Sequence, residues 1–282
     1  FVTSNDMADA ANYDYVTSQY NQTSVIDYFI LNSFVVCADW LNWNTAWWKG
    51  NHPDGSAKRW RYALWDQDNT FGHGANYSGL PDTGAGADPC NPEDLGDLGG
   101  QGHVPVFTAL QDNDDFMAEY VNRFASMSNS YFSCDYMHYH LDSMIGAIAP
   151  EMQRQIDRWY GNYADWEDNV QEMHDFIDER CADEIVSGME DCYDIVSVTL
   201  TIVVDGLGTV EVQGLAPVSQ GDSPWEGTYY AEIPIELEAL IDAGLFLGWE
   251  VLDGDLVIDD PTNPFLEITL TGDATIIAHF DS

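Results

Sequence analysis

The spacing of apolar residues changes along the chain and predicts an ordered succession of elements. Between residues 24 and 38, apolar side chains recur every three or four positions and predict one amphipathic helix. Residues 44–49 and 59–65 predict two strands, because the intervening His-Pro-Asp-Gly at 52–55 is typical of a hairpin turn. A stretch rich in Gly, Pro and Asp, residues 72–103, has no period and predicts a long loop. Such loops are usually functional or mobile, and we interpret this one as a solvated insertion.

The same criterion predicts an irregular beginning and a helical middle. Residues 1–23 are polar without clear periodicity and predict an irregular lead-in. Residues 104–192 carry three apolar stripes at helical spacing, and such stripes are normally core. The stripes are Phe107, Leu110, Phe116, Met117, Tyr120, Val121 and Phe124; Met144, Ile145, Ile148, Met152, Ile156 and Trp159; and Val170, Met173, Phe176 and Ile177.

From Val196 onward the pattern alternates between apolar and polar residues, and β-branched residues dominate. Residues 196–204, 233–237 and 268–280 predict strands separated by Gly-rich turns. The predicted fold class is therefore α+β, with a helical region that carries a small hairpin sheet, followed by a small all-β module. We place the domain boundary between residues 1–195 and 196–282.

Length and composition are compatible with this division. The chain has 282 residues, of which 45% are hydrophobic, enough for one large or two ordinary packed domains. No run of about 18 apolar residues occurs, so the sequence predicts no membrane-spanning helix.

The charge is strongly one-sided and limits the partners. Forty-nine acidic residues against eight Lys and Arg give a net charge of −41. Such a surface repels nucleic acid, and it repels anionic membranes and ATP unless metal ions intervene. Two compatible interpretations are an extracellular protein in a saline environment and a surface that binds divalent cations such as Ca²⁺. We regard most of this charge as a solvated face.

Five cysteines occur without the spacing of a zinc site. In an oxidising compartment, Cys181 and Cys192 are candidate disulfide partners at the end of the helical region. Cys90, in the long loop, could pair with Cys134. Cys37 lies in an apolar run and is interpreted as a buried thiol.

The candidate chemistry lies in two short motifs. Asp39 and Asn44 form D-x-x-x-x-N, and Asp66-Gln-Asp68-Asn-Thr-Phe71-Gly72 follows the second predicted strand. Protein kinases use a catalytic Asp and a metal-binding Asn at this spacing, then a second metal-binding Asp after a strand. One carboxylate orients the attacking hydroxyl, while an amide oxygen and another carboxylate hold magnesium against the phosphates.

We therefore assign Asp39 as the candidate base and Asn44, Asp66 and Asp68 as candidate metal ligands, with Asn42 as a weaker substitute for Asn44. A hairpin would place Asn44 and Asp66 at neighbouring strand ends, as a shared metal requires. Structural alternatives stay open, since an Asp often ends a helix and an Asn often begins a strand.

Further alternatives depend on other residue types. A carbohydrate-active site could use Asp66 and Asp68 as paired carboxylates, although nothing else in the sequence favours it. The chain also has scattered histidines, to none of which we assign a role: His73, His103, His138, His140 and His174.

Around these motifs the chain resembles the CotH-type, spore-coat protein H-like family of atypical secreted kinases. The resemblance spans roughly residues 14–195. It is carried by the leading helix at 24–32, the segment Asn44-Thr-Ala-Trp-Trp-Lys49, the strand Lys58-Arg-Trp-Arg-Tyr-Ala-Leu-Trp-Asp66 and the signature Pro150-Glu-Met-Gln-Arg154 with Arg158-Trp159. It implies transfer of the ATP γ-phosphoryl group to a protein hydroxyl, with Mg²⁺ or Mn²⁺.

One part of the family pattern is missing. A kinase needs a lysine that grips the phosphates, and in this family that lysine precedes the catalytic segment. The 38 residues before Asp39 contain no lysine, and Lys49 and Lys58 both follow it. We expect this chain to lack an N-terminal lobe and to be inactive alone. The alternative is a non-catalytic structural or adhesive protein that assembles into a filament, layer or surface complex. Calcium is a candidate cofactor, and calcium-dependent self-association without ATP binding would favour this alternative.

The C-terminal segment resembles a divergent internalin-type B-repeat, a small β-module of bacterial surface proteins. The residues that carry this resemblance are Gly206-Leu-Gly-Thr-Val210, Gly244-Leu-Phe-Leu-Gly-Trp249 and Asp273-Ala-Thr-Ile-Ile-Ala-His-Phe280, with Leu245 in place of the usual Tyr. The resemblance implies an extracellular or cell-surface bacterial location and a spacer or adhesive role, not catalysis.

Overall fold

The computed structural model describes residues 1–41, 43–52, 55, 57–241 and 244–281. It confirms the α+β class, with a mainly helical region followed by a β-rich one. The α-helices are α1 (Ala10–Gln19), α2 (Gln22–Phe34), α3 (His103–Leu110), α4 (Asp114–Ser128), α5 (Cys134–Trp159), α6 (Tyr163–Glu179) and α7 (Ile185–Tyr193). The strands are β1 (Ala46–Trp48), β2 (Arg61–Ala63), β3 (Ser197–Asp205), β4 (Thr209–Val212), β5 (Ala216–Ser219), β6 (Trp225–Tyr230), β7 (Pro234–Leu240), β8 (Phe246–Asp253), β9 (Phe265–Thr269) and β10 (Ala274–Phe280).

Tertiary contacts divide the chain into two compact units. The first consists of Phe1–Asp114 and Tyr131–Cys192, and the second of Asp115–Ser130 and Tyr193–Ser282. Helix α4 therefore belongs with the C-terminal strands. In the described part of the chain, no helix combines the length and apolar character that crossing a bilayer requires.

The N-terminal lead-in is more ordered than predicted. Helix α1 begins where the side chain of Asp9 accepts hydrogen bonds from the backbone of Ala11 and Asn12, which satisfies two free N–H groups of the first turn. Tyr13 and Val16 are buried and hold the helix to the core. The prediction of an irregular segment was wrong because two apolar contacts are too few to produce a visible period.

Helix α2 confirms the predicted amphipathic helix but ends four residues early. Asn21 caps its start by accepting from the Ser24 N–H at 2.8 Å. Its end at Phe34 is followed by Val36 in the left-handed region, at φ 50°. A left-handed residue commonly ends a helix, although it is usually Gly. Residues 35–38 therefore form a turn that leads into the candidate site.

The predicted hairpin sheet is confirmed. Strands β1 and β2 pair antiparallel, with Ala46 opposite Ala63 and Trp48 opposite Arg61. Pro53 and Asp54 of the predicted turn lie outside the described residues.

Helices α3 to α7 confirm the helical middle, but one stripe is not core. Most of the first stripe is buried, whereas Met144, Ile148 and Trp159 of the second are 60%, 47% and 64% exposed. Periodicity identifies the apolar face of α5 but does not show whether another element covers it. Its contact with α6 leaves most of that face open, and Leu141 is the buried residue among those described in α5.

The segment 72–103 is anchored rather than a solvated insertion. Leu80, Ala85 and Ala87 are buried and cluster with Val36, Ala38 and Phe176. The disulfide Cys90–Cys192 joins the segment to α7. Sequence analysis missed this because the burial involves alanines and a cross-link rather than a periodic apolar pattern.

The predicted disulfide between Cys181 and Cys192 is wrong. Cys192 pairs with Cys90 and Cys181 with Cys134, at Cα separations of 5.9 and 5.4 Å. Cys181 lies in a π-helical turn, Arg180–Glu184, that continues directly into α7. Eleven residues of continuous helix span about 16 Å, far beyond disulfide reach. The same pairing excludes the predicted link from Cys90 to Cys134, and Cys37 is the free, buried thiol expected.

The second unit contains two four-stranded sheets within its described residues. Their orders are β6-β3-β10-β8 and β5-β4-β7-β9, and β3 pairs with β10 in parallel. Burial alternates along β3 and β10, so each strand presents one face to the core. The Asn129 side chain, just beyond α4, exchanges hydrogen bonds with the backbone of Thr228 in β6 at 2.8 and 3.0 Å.

One cross-strand interaction of this unit predicts a pH-dependent stability. His279 lies between Asp205 and Glu250, at 3.1 and 3.0 Å. Hydrogen bonds to Glu250 and Asp205 raise the pKa of His279 above its ordinary value of 6.5. The resulting stabilisation is fully present below that value and is lost as the pH rises through the raised pKa.

We expect His279→Gln to lower the free energy of unfolding at pH 5 by less than about 1 kcal/mol, because the carboxylates are mostly exposed. The difference from the wild-type protein should vanish at pH 9. Chemical denaturation at both pH values measures it, and equal differences at the two values would contradict the assignment.

Candidate active site

Two loops form the candidate site, and backbone hydrogen bonds hold them side by side. The first follows α2 and the second follows β2. Ala38 N–H donates to the Asn69 carbonyl at 3.0 Å, and Phe71 N–H donates to the Val35 carbonyl at 2.9 Å. This pairing brings the D-x-x-x-x-N motif beside the segment that carries Asp66 and Asp68.

A third segment supports both loops from the other side. Ser78 donates from its hydroxyl to the Trp40 carbonyl at 2.8 Å and from its backbone to the Ala38 carbonyl. The Asn69 side chain donates to the Ala75 carbonyl at 2.7 Å. Trp40, Asn69 and Ser78 are all buried, so the loops rest on a packed base.

The backbone of both loops is strained. Among the described residues of the two loops, five non-glycine residues have positive φ: Val36, Leu41, Asn44, Asp66 and Phe71. A β-branched residue such as Val36 adopts this region only at an energetic cost. Residues in such conformations cluster at active sites and ligand-binding loops, where the surrounding structure enforces them.

Asp39 and Asn44 are joined directly. Asn44 donates from Nδ2 to Asp39 Oδ2 at 2.9 Å, while the thiol of Cys37 donates to Oδ1 at 3.5 Å. The Asp39 carboxylate is thus oriented by two donors. The amide nitrogen of Asn44 is engaged by Asp39, so the amide oxygen is the atom of this side chain that can bind a metal ion. The positive φ of Asn44 makes this short-range contact feasible.

The charges of Asp66 and Asp68 act on the Asp39 carboxylate. Burial is the main cause that raises the pKa of Asp39, and the negative charges of Asp68 and Asp66 add to the rise. Burial also raises the pKa of the Cys37 thiol to about 12, so this thiol stays a proton donor at neutral pH. The structure therefore joins Asp39 and Asn44 directly and places the loop of Asp66 and Asp68 beside them, while the roles of all four residues stay predictions.

The exposed carboxylates of Asp66 and Asp68 do not by themselves form a metal cage. Within the described residues, no group of three or more His, Cys, Asp and Glu side chains is arranged to hold a metal ion. Mg²⁺ is usually bound by one or two protein carboxylates plus substrate phosphates and water, rather than by an all-protein cage. The oxygen donors of Asn44 and Asp66 fit that type of site. Asn42 lies outside the described residues.

The two lysines of the chain interact away from Asp39. Lys49 Nζ lies 4.8 Å from the centre of the Trp60 ring, and Lys58 donates to the His52 carbonyl. Trp43, Trp48 and Trp65 around the hairpin are exposed.

Sequence analysis missed two supporting residues. Cys37 was recognised as buried but not as a donor to Asp39, although its position two residues before a candidate base was a usable signal. Arg180 is fully buried, and because it directly follows Asp178 and Glu179, the only sequence signal was its rarity as one of eight basic residues.

Comparison with known proteins decides the family. The family model described as CotH kinase protein matches residues 1–182, well over half of the chain. The chain belongs to the CotH kinase family. The CotH match contains both candidate loops and helices α1 to α6. No curated protein matched the chain, and no solved structure did so either.

Proposed function

We propose that this CotH-family chain provides the base-and-metal half of a site that transfers the γ-phosphoryl group of ATP to protein hydroxyl groups. The observation that carries the proposal is the direct hydrogen bond between Asp39 and Asn44, with the charges of Asp66 and Asp68 acting on the same carboxylate. These are the residue types and the spacing that phosphoryl transfer requires.

Each residue would have a separate task. Asp39, fixed by Cys37 and Asn44, would orient the acceptor hydroxyl and accept its proton. The amide oxygen of Asn44 and the carboxylate of Asp66 would hold Mg²⁺ or Mn²⁺, with Asp68 as a second carboxylate. The metal would neutralise the charge of the phosphates, which the acidic surface otherwise repels.

The cation that binds the phosphates would come from outside residues 1–282. Residues 1–38 contain no lysine, and Lys49 and Lys58 interact with Trp60 and His52. We therefore propose that transfer needs a lobe or a partner chain that supplies a phosphate-binding cation, and that residues 1–282 alone are inactive.

We also propose an extracellular or cell-surface bacterial location, with residues 196–282 as a B-repeat-like module. Two disulfides support an oxidising compartment. The net charge of −41 suits a saline medium, in which salt screens the repulsion between surface charges.

Metal-dependent nucleotide binding tests the proposal. We expect Asp66→Asn to weaken binding of a Mn²⁺ complex of a non-hydrolysable ATP analogue by at least about tenfold, because one ligand charge is lost. Calorimetry in about 0.15 M salt, which screens the other carboxylates, measures the dissociation constant. Asp112→Asn, which removes an equal charge from an exposed turn, is the control. Equal affinities for both variants would contradict the proposed site.

The second candidate function is a non-catalytic structural or adhesive protein on the same scaffold. It is favoured by the uncovered apolar face of α5, on which Met144, Ile148 and Trp159 are exposed. Analytical ultracentrifugation with and without Ca²⁺ separates the two functions. Calcium-dependent self-association of a protein that does not bind the nucleotide complex would favour the structural role.

A further inference from the structure

A chain of four polar side chains crosses the seam between α5 and α6. His138 Nδ1 lies 2.7 Å from His174 Nδ1. On the outer side of each ring a carboxylate completes the chain. His138 Nε2 lies 2.7 Å from Asp178 Oδ1, and His174 Nε2 lies 3.3 Å from Asp142 Oδ1.

The two rings meet edge to edge. Their planes differ by 16° and their centroids are 4.9 Å apart. That separation is close to the distance between the Nδ1 atoms plus one ring radius at each end. The rings therefore lie nearly in one plane, with the two Nδ1 lone-pair directions pointing at each other.

This geometry limits where the protons can lie. A carboxylate accepts, so His138 Nε2 carries the hydrogen that it donates to Asp178. At the Nδ1–Nδ1 contact one nitrogen must donate and the other accept. Protons on both Nδ1 atoms would set two N–H groups against each other, and a proton on neither would set two lone pairs against each other.

The pair lies where it can control the position of α6. Cys134 and Cys181, which form a disulfide, lie one turn before His138 and two turns after His174. Both histidine side chains are largely shielded, at 24% and 21% exposed, so solvent screens their interaction less than on an open surface.

Helix α6 in turn contacts the candidate metal loop. Phe176, between His174 and Asp178, packs edge-on against Phe71, with ring centroids 5.5 Å apart. Glu172 lies 3.9 Å from His73 in the same loop. Phe71 and His73 follow Asp66 and Asp68 in sequence, so a shift of α6 would be transmitted to the candidate metal ligands.

We propose that His138 and His174 form a pH-sensitive histidine clamp, which fixes α6 against α5 only while the pair shares one Nδ1 proton and so positions the loop that carries Asp66 and Asp68. The charged groups that face the clamp are Asp142 from α5 and Asp178 from α6. Glu172, Asp175 and Glu179 of α6 face the 71–73 loop instead. The consequence for the site rests on the proposed function, whereas the proton sharing rests on geometry alone.

The direct test is ring-nitrogen NMR of the wild-type protein labelled with ¹⁵N-histidine. At neutral pH we expect one shared proton, seen as an Nδ1 signal of His138 and His174 between the pyridine-like and pyrrole-like values. On acidification both rings should become imidazolium, and the shared signal should disappear at the same pH. Independent titration of the two rings, as for exposed histidines, would overturn the proposal. So would Nδ1 signals that change on addition of EDTA, since a metal ion would then take the place of the proton.

Hydrogen exchange provides the structural readout. Between neutral pH and pH 5, we expect the protection of amides in α6 to fall on the order of tenfold, after correction for the intrinsic exchange rate. His138→Gln and His174→Gln should abolish this pH dependence, whereas His140→Gln should keep it, because His140 packs on Tyr136 and Tyr139 instead. Unchanged pH dependence in the first two variants would contradict the clamp.

Nucleotide binding separates the two proposals. If NMR shows the shared proton while the wild-type and His138→Gln proteins bind the Mn²⁺–nucleotide complex with the same affinity, the link between the clamp and the site is wrong. If Asp66→Asn leaves that affinity unchanged while the clamp titrates as expected, the proposed function is wrong and proton sharing stands.

Discussion

Replacement of Arg180 by Ala is expected to lower the free energy of unfolding of the first unit by about 3–5 kcal/mol. Arg180 is fully buried and donates to the carbonyls of Ser33, Phe34 and Ala85 at 2.9, 3.0 and 2.8 Å, and also to Ala87. Its loss would leave these acceptors without their donor and create a cavity.

The position of this arginine explains the size of the effect. Ser33 and Phe34 end α2, directly before the turn that leads to Asp39, and a cation is favourable at a helix C-terminus. Burial lowers the pKa of Arg180 to about 10, which leaves it protonated at neutral pH. One buried side chain therefore joins α2, the anchored segment 72–103 and the turn after α6.

Thermal denaturation of the Arg180→Ala protein measures this effect, and we expect a drop in Tm of about 10 °C. Arg154→Ala is the matched control, because Arg154 is 82% exposed and pairs with Glu151 on the surface. It should cost no more than about 0.5 kcal/mol. Similar losses in the two variants would contradict a structural role specific to Arg180.

Replacement of Asp39 by Asn is expected to lower the rate of phosphoryl transfer by about 10²- to 10⁴-fold, the usual contribution of a positioned base. The assay uses the native protein together with whatever lobe or partner supplies the phosphate-gripping cation. Because Asn keeps the size of the side chain, binding of the metal–nucleotide complex should change little. Measuring γ-phosphoryl transfer and calorimetric binding on the same variant tests whether Asp39 acts on the rate and not on binding.

The pH profile provides a second check on the same residue. In the metal-free protein the pKa of Asp39 is raised by burial and by the charges of Asp68 and Asp66, so its carboxyl should take up a proton at a higher pH than an ordinary Asp. Asp66→Asn should lower this pKa, because one repelling charge is removed, and carboxyl-carbon NMR as a function of pH measures both. An Asp39→Asn protein that transfers phosphate at the wild-type rate would exclude Asp39 as the base.

Local patterns in the sequence predicted much of the fold. The helix before Asp39, the hairpin of β1 and β2 and the C-terminal strands each follow from a period or a turn type confined to neighbouring residues. The sequence also predicted that Asn44 and Asp66 lie near each other, since a hairpin places the start of β1 beside the end of β2.

The features that sequence analysis missed depend on distant partners. Whether the stripe from Met144 to Trp159 is core depends on what covers α5, which no period within α5 can show. The pairing of Cys90 with Cys192 depends on a fold that brings residues 102 positions apart together. The grouping of α4 with the C-terminal strands and the His138–His174 contact are of the same kind.

The most direct test of the account is crystallography of the protein with Mn²⁺ and a non-hydrolysable ATP analogue, at a wavelength that gives anomalous signal from manganese. The account predicts a manganese ion bound by the amide oxygen of Asn44 and a carboxylate oxygen of Asp66 at about 2.0–2.2 Å, in contact with the phosphates, with Asp39 facing open space beside them. Manganese bound only to other carboxylates of the acidic surface, with no ion or nucleotide at Asn44 and Asp66, would contradict it.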